Sequence, residues 1–198
     1  DGQPVGAIGV SGSKIIAYEG RNVIRVFERS DPLLTQPSGH TVTGFVREAL
    51  WMEQAAGFVV ANMDKGLAYV NASGDVHTQD VPGTPLGLCT DDGFVADDSS
   101  SFYVASANYG VLRMVQEAVA GQLDTPGSPQ AIDCSSGRVY VVDRRTDGPS
   151  GVLILDADLN SLASTTTDGD AQDIAAFNGV ILLADGESGL RVLSDVEE

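Results

Sequence analysis

Short apolar runs separated by polar turns recur along this chain. The clearest case is Gly179 to Leu193. Val180 to Leu183 are apolar, Asp185-Gly-Glu-Ser-Gly189 carries turn chemistry, and Leu190 to Leu193 are largely apolar again. Aliphatic and β-branched residues bounded by Asp, Gly and Ser read as two strands joined by a turn. Four further copies align with it. They are Lys14–Tyr18 with Val23–Phe27, Phe58–Ala61 with Leu67–Val70, Phe102–Ala105 with Val111–Val115, and Val139–Val142 with Val152–Leu155.

Pro/Gly linkers fall between the copies: Gln36-Pro-Ser-Gly39, Val81-Pro-Gly-Thr-Pro85, Thr125-Pro-Gly-Ser-Pro129 and Thr167-Asp-Gly-Asp170. Pro85 to Pro129 spans 44 residues, and Pro129 to its counterpart Ala171 spans 42. A period near 40 with several short strands per unit is the signature of a β-propeller blade. The expected fold is therefore an all-β propeller of five repeats in one domain, residues 1–198. The blades fall near 1–40, 41–83, 84–127, 128–169 and 170–198.

Each repeat should add an inner and an outer strand to its hairpin. Inner strands are expected at Val5–Val10, Gln130–Cys134 and Gln172–Ala176. In repeat two the choice lies between Gly44–Arg47 and Leu50–Gln54, and in repeat three between Leu86–Thr90 and Phe94–Ala96. Outer strands are expected at Leu33–Gln36, Val76–Asp80, Gly121–Asp124 and Leu162–Thr166. Repeat five has no segment left for one. The last blade is then three-stranded, or the chain is part of a larger ring. Arg47 to Ala56 also carries good helix formers, so a short helix competes with a strand there.

Charge narrows the partners. With 28 acidic and 11 basic residues the net charge is −17, which lacks the basic footprint of nucleic-acid or anionic-membrane binding. No apolar run approaches the about 20 residues of a membrane-spanning helix. The opening Asp1-Gly-Gln-Pro4 is how a processed product or an excised domain would begin.

The hairpin and linker together resemble the LVIVD-repeat propellers. Ala184-Asp185-Gly-Glu-Ser-Gly-Leu-Arg-Val-Leu193 carries the pattern, and Val142-Asp143 through Gly151-Val-Leu-Ile-Leu-Asp156 carries it with a longer turn. Glu19, Asn62 and Ser106 stand where the Asp of Ala-Asp would be. The resemblance implies an extracellular or cell-surface location and assigns no reaction.

In a propeller the turns between second and third strands share a face with the linkers. That face is expected to carry Glu19, Asn62, Asp64, Asn108, Tyr109, Asp143, Arg144, Arg145, Asp147, Asp185 and Glu187, with Asp80, Asp124, Asp168, Asp170 and Asp173 from the linkers. An acid-rich rim suits a cation or a cationic partner, though turns favour Asp and Asn whatever they do. Asp156-Ala-Asp158-Leu-Asn160 spaces oxygen ligands like the start of a Ca²⁺ loop, or else is a tight turn; Ser161 and Thr167 stand where that loop needs Gly and Glu. Ca²⁺ is the one cofactor considered. Cys89 and Cys134 lie in inner strands of consecutive repeats, where a disulfide or two inert buried thiols would fit. Trp51 reads as core or as a surface for sugar stacking.

The function expected is a non-catalytic extracellular or cell-surface binding module that presents this face to a protein or glycan. Strand addition at Leu190–Ser194 is a second route to a partner. The alternative is a glycosidase-like hydrolase with a carboxylate pair drawn from Asp133, Asp173 and Asp185. His40 and His77 stand in no nucleophile motif.

Overall fold

The computed structural model describes residues 5–11, 13–19, 22–31, 38–52, 56–71, 73–90 and 101–195; side chains are described from residue 13 onward, Glu19 excepted. The expected outer strand Leu33–Gln36, the alternative inner strand Phe94–Ala96 and the acids Glu197 and Glu198 lie outside these residues. The described residues form five antiparallel sheets. They divide into two compact units, Asp1–Val81 and Pro82–Glu198.

The first unit holds two four-stranded sheets. One is β1 (Val5–Ser11), β2 (Lys14–Glu19), β3 (Val23–Glu28) and β4 (Ser38–Thr41). The other is β5 (Val46–Met52), β6 (Gly57–Asn62), β7 (Gly66–Val70) and β8 (Val76–Gln79). Ile16, Tyr18, Ile24 and Val26 of the first sheet pack on Ala49, Phe58, Val60, Ala68 and Val70 of the second. The Ala49 amide donates to the Tyr18 hydroxyl inside this core. Burial, with the Glu48 charge second, pushes the Tyr18 phenol above its ordinary range. Trp51 packs at the margin of the core, under the Lys14 ammonium at 4.6 Å.

The second unit holds three sheets: β9 (Thr84–Cys89), β10 (Phe102–Ala107), β11 (Gly110–Val115) and β12 (Ala118–Leu123); β13 (Ser128–Ser135), β14 (Arg138–Arg144), β15 (Gly151–Leu155) and β16 (Ser161–Thr166); and β17 (Asp173–Phe177), β18 (Val180–Ala184) and β19 (Leu190–Ser194). The middle sheet is covered on both faces. Tyr103, Ala105 and Val111 meet Ile132, Val139 and Val141 on one side, and Tyr140, Val142 and Ile154 meet Ile174, Ile181 and Leu183 on the other. A disulfide joins Cys89 of β9 to Cys134 of β13.

The burial pattern follows from this stacking. Every residue of β6 and of β10 is buried, and β14, which has a neighbour sheet on each face, is buried from Val139 to Asp143; the outer strand β16 is exposed throughout. Hence second strands read as continuous apolar runs and outer strands as polar ones.

Four of the five inner strands, all but β17, share a feature that period-two reasoning misses. Their pairing shifts between Val5 and Ala7, Val46 and Glu48, Pro85 and Gly87, and Pro129 and Ala131. Each shift is a bulge at the second or third residue of the strand, and one extra residue reverses the alternation beyond it. In repeat two, β5 spans the gap between the two expected alternatives and replaces the competing helix. In repeat three, the inner strand is Thr84–Cys89. The fourth strand on β3 is Ser38–Thr41, later in the chain than expected.

Candidate functional site: the turn face and its latches

At the end of each second strand from β6 onward stands one buried polar residue. Asn62, Ser106, Asp143 and Asp185 all have 0% exposure. Each reaches back to the linker that enters its own sheet. Asn62 Nδ2 donates to the Thr43 carbonyl at 2.5 Å, and Ser106 Oγ donates to the Pro82 carbonyl at 2.5 Å. Asp143 Oδ2 accepts the Gly127 amide at 2.8 Å, and Asp185 Oδ2 accepts the Gly169 amide at 3.2 Å. These bonds latch linker to hairpin within each repeat.

The linker contributes a glycine to every latch. A Cβ on Gly44 would lie 2.3 Å from Asn62 Oδ1, and one on Gly83 would lie 2.5 Å from Ser106 Oγ. On Gly127 and Gly169 it would lie 2.4 Å from the Arg144 carbonyl and 2.2 Å from the Asp185 carbonyl. At Gly127 and Gly169 only a residue without a side chain lets the two backbones approach this closely, and at Gly44 and Gly83 it leaves room for the latch side chain itself.

This placement corrects the expected face. Asp143 and Asp185 are internal, not displayed. Burial raises the Asp143 carboxyl above its ordinary pKa, against the lowering effects of the Thr125 hydroxyl, the Gly127 amide and the Arg145 charge. Asp185 also takes Arg191 at 3.3 Å, and Arg191 reaches Asp168 at 3.0 Å.

Beyond the latches, with Ala107 still buried, the turn tips are exposed. In the first unit these are Met63, Asp64 and Lys65, with Phe45 from the linker. Asp64 Oδ1 accepts the Phe45 amide at 3.1 Å, and the Met63 amide donates to the Phe45 carbonyl at 3.0 Å, which holds the two apolar side chains on one tip. The sequence reading missed Phe45 and Met63. The available signal was an apolar residue beside turn formers, Gly44 before Phe45 and Asn62 and Asp64 on either side of Met63. Glu19 ends β2, and its side chain lies outside the described ones.

In the second unit, the exposed set is Asn108, Tyr109, Arg144, Arg145, Asp147 and Glu187. The Ser128 hydroxyl accepts the Asn108 amide at 3.2 Å, and Arg144 pairs with Asp170 at 2.6 Å. Asp80, Asp124 and Asp168 are exposed, and Asp170 is half-buried.

The hydrolase trio is engaged with the main chain. Asp133 Oδ2 accepts the Ala176 amide at 2.7 Å, Asp173 Oδ1 accepts the Ile174 amide at 3.0 Å, and Asp185 is a latch. The Ca²⁺-like segment is a turn between third and fourth strands. Asp156 Oδ1 accepts the amides of Asp158 and Asn160 at 2.9 and 2.8 Å, and Asn160 Nδ2 donates to Asp156 Oδ2 at 2.9 Å. Asp158 pairs with Arg113 at 3.1 Å. The corresponding turn in the first unit has the same bonds with the residue types exchanged. Asn71 Oδ1 accepts from Ser73 and Asp75, and Asn71 Nδ2 donates to Asp75 Oδ2. Among the described residues, no group of three His, Cys, Asp or Glu side chains is placed to hold a metal ion.

The charged side chains on and just after β19 are also engaged. Asp195 accepts from Arg138 at 2.7 Å and from the Tyr140 hydroxyl, while Arg191 serves Asp185 and Asp168. Burial first, then the Asp195 hydrogen bond and charge, push the Tyr140 phenol up to about 12.

Comparison with solved structures fits the sheet order. The WD40 domain of Neurospora crassa Pan2 superposes with a TM-score of 0.70 at 13% identity, covering 91% of this chain and 56% of that one. The WD40 β-propeller domain of Doa1 gives 0.76 at 13% identity, covering 98% and 64%. The fold is a β-propeller. The chain spans less than two thirds of either structure. No family model matches it, and no curated protein matches it.

Proposed function

We propose that this propeller is a non-catalytic binding module whose turn face meets a protein partner. One observation carries the reading: constant latches sit directly behind variable tips. Asn62, Ser106, Asp143 and Asp185 fix the backbone at one place in four repeats. The next residues differ in every repeat: Met63-Asp64-Lys65, Ala107-Asn108-Tyr109, Arg144-Arg145-Thr146-Asp147 and Gly186-Glu187-Ser188. A rigid frame with divergent side chains gives specificity at low ordering cost. The net charge of −17 favours a partner with a basic surface.

The proposed setting is the cell exterior or surface, and the proposed kinship is with the LVIVD-repeat propellers. The Cys89–Cys134 disulfide supports an oxidising compartment. Two copies of the Ala-Asp pattern end in latch residues, which gives that motif a structural reason. Strand addition is a second reading. It is favoured by the position of β19, third and last in its sheet where the other third strands carry a fourth.

The test is capture of partners from the surface fraction of the source cells on the immobilised protein. The reading expects a protein that is lost with Tyr109→Ala or with Arg144→Ala plus Arg145→Ala at unchanged melting temperature. Binding that survives both, or that follows a glycan instead, overturns it.

A further inference from the structure

The face of the last sheet that points away from its neighbour is apolar and open. In the first, third and fourth repeats, positions of the second and third strands form the side that meets the next repeat. In the first sheet they are Ile16, Tyr18, Ile24 and Val26, all buried against the second sheet. In the fourth sheet they are Tyr140, Val142, Val152 and Ile154, at most 8% exposed, packed on the fifth. Tyr103, Ala105 and Val111 repeat this between the third and fourth sheets. The strand register carries the same positions to Leu182, Ala184, Leu190 and Val192.

There the chemistry is retained and the cover is missing. Leu182 is 42% exposed, Val192 66% and Leu190 71%, with Phe177 at 74% beside them on the same face. Single exposed apolar residues are ordinary, but a contiguous sheet face of them marks an interaction site. A repeat that ends an array carries a polar outer face, because nothing stacks on it. The fifth sheet carries an apolar one, so it is built as an internal repeat.

We infer that this face seats one further propeller blade, supplied by sequence outside these 198 residues. The occupant is specified by the interfaces already present: an antiparallel sheet offering the side that Ile174, Ile181 and Leu183 offer to the fourth sheet. The extent of the matched propellers agrees, since this chain spans only 56% and 64% of them. The inference concerns a sheet face and not the turn tips, so it stands or falls separately from the binding reading.

Both native cysteines are in the disulfide, so Val192→Cys installs a single free thiol at the centre of the face. Leu190→Cys is the second variant should the first fold poorly. Maleimide labelling is timed in the 198-residue chain and in the product of the complete gene. The inference expects free-peptide rates in the former and labelling slower by on the order of 100-fold in the latter. A photo-crosslinker on the same thiol should then land in a segment with the repeat pattern. Equal rates in both proteins overturn the inference, as does a crosslink to sequence without the repeat. Protection in the 198-residue chain also overturns it: concentration-dependent protection assigns the face to a second copy, and concentration-independent protection assigns it to the chain itself.

Discussion

Asp143 accepts the amide hydrogen of Gly127 at 2.8 Å, with Asp143 fully buried and Gly127 so close that a Cβ would meet the Arg144 carbonyl at 2.4 Å. The carboxylate and the missing side chain are two halves of one device. Removing either half tests it. Asp143→Ala leaves a partly buried amide unsatisfied and should cost about 1–3 kcal/mol in denaturant unfolding. Gly127→Ala and Gly169→Ala force backbone apart and should each lower stability by more than about 1 kcal/mol. Gly148→Ala, with nothing within 4 Å, should be near neutral. Equal effects at 127 and 148 would show that the close approach is unimportant.

Tyr140 predicts an alkaline signature. Its phenol is held at about 12, so the folded chain keeps a proton that the unfolded chain releases near the ordinary value of 10. That stabilisation is complete below pH 10 and is lost as pH rises to about 12. Tyr140→Phe should flatten part of the fall in melting temperature across this window, and should cost about 1–2 kcal/mol at neutral pH by removing a bond to Asp195. Ultraviolet titration of wild type and variant assigns the phenol.

Asp143 adds the acid side. Its pKa is raised, chiefly by burial, so its folded form favours the proton. Its contribution is greatest below the ordinary carboxylate value and declines as pH rises through the raised one. Relative to wild type, Asp143→Asn should therefore show a shallower dependence of unfolding free energy on pH in that window. An unchanged slope counts against the buried placement.

The disulfide closes a separation of 45 residues between adjacent inner strands. On chain entropy this loop is worth about 4 kcal/mol, as an upper value. Reduction, or Cys89→Ser with Cys134→Ser, should lower the melting temperature by several degrees, on the order of 5–15 °C. Calorimetry with and without reductant reads this directly.

The two loops built on Asn71–Asp75 and Asp156–Asn160 make the same bonds with Asn and Asp exchanged. The double variant Asp156→Asn with Asn160→Asp should thus keep the melting temperature within about 2 °C. Chelator should leave it unchanged. A chelator-dependent drop abolished by the exchange would restore a Ca²⁺ role.

Much of this architecture was legible in order along the chain. Asp-Gly turns and the apolar runs Phe58–Ala61 and Phe102–Ala105 mark hairpins, because a fully buried strand has no polar alternation to offer. The inner strands were not legible in detail. A bulge near residue 47 or 86 inserts one residue, and nothing local distinguishes that from continued pairing. The residues assigned to the turn face divide by burial. Asp64, Asn108, Tyr109 and Glu187 are exposed, but Asp143 and Asp185 are turn-type residues at strand ends, and turn preference is the same whether a carboxylate faces water or a linker amide.

By itself, then, the sequence determined the repeats, their period and the hairpins, since local propensity and spacing suffice for these. Tertiary structure alone decided which acids are inside, which cysteines meet, and that Leu182, Leu190 and Val192 lie uncovered. Those are facts about what stands opposite a residue across a sheet or a linker, and proximity of that kind leaves no trace in neighbouring letters.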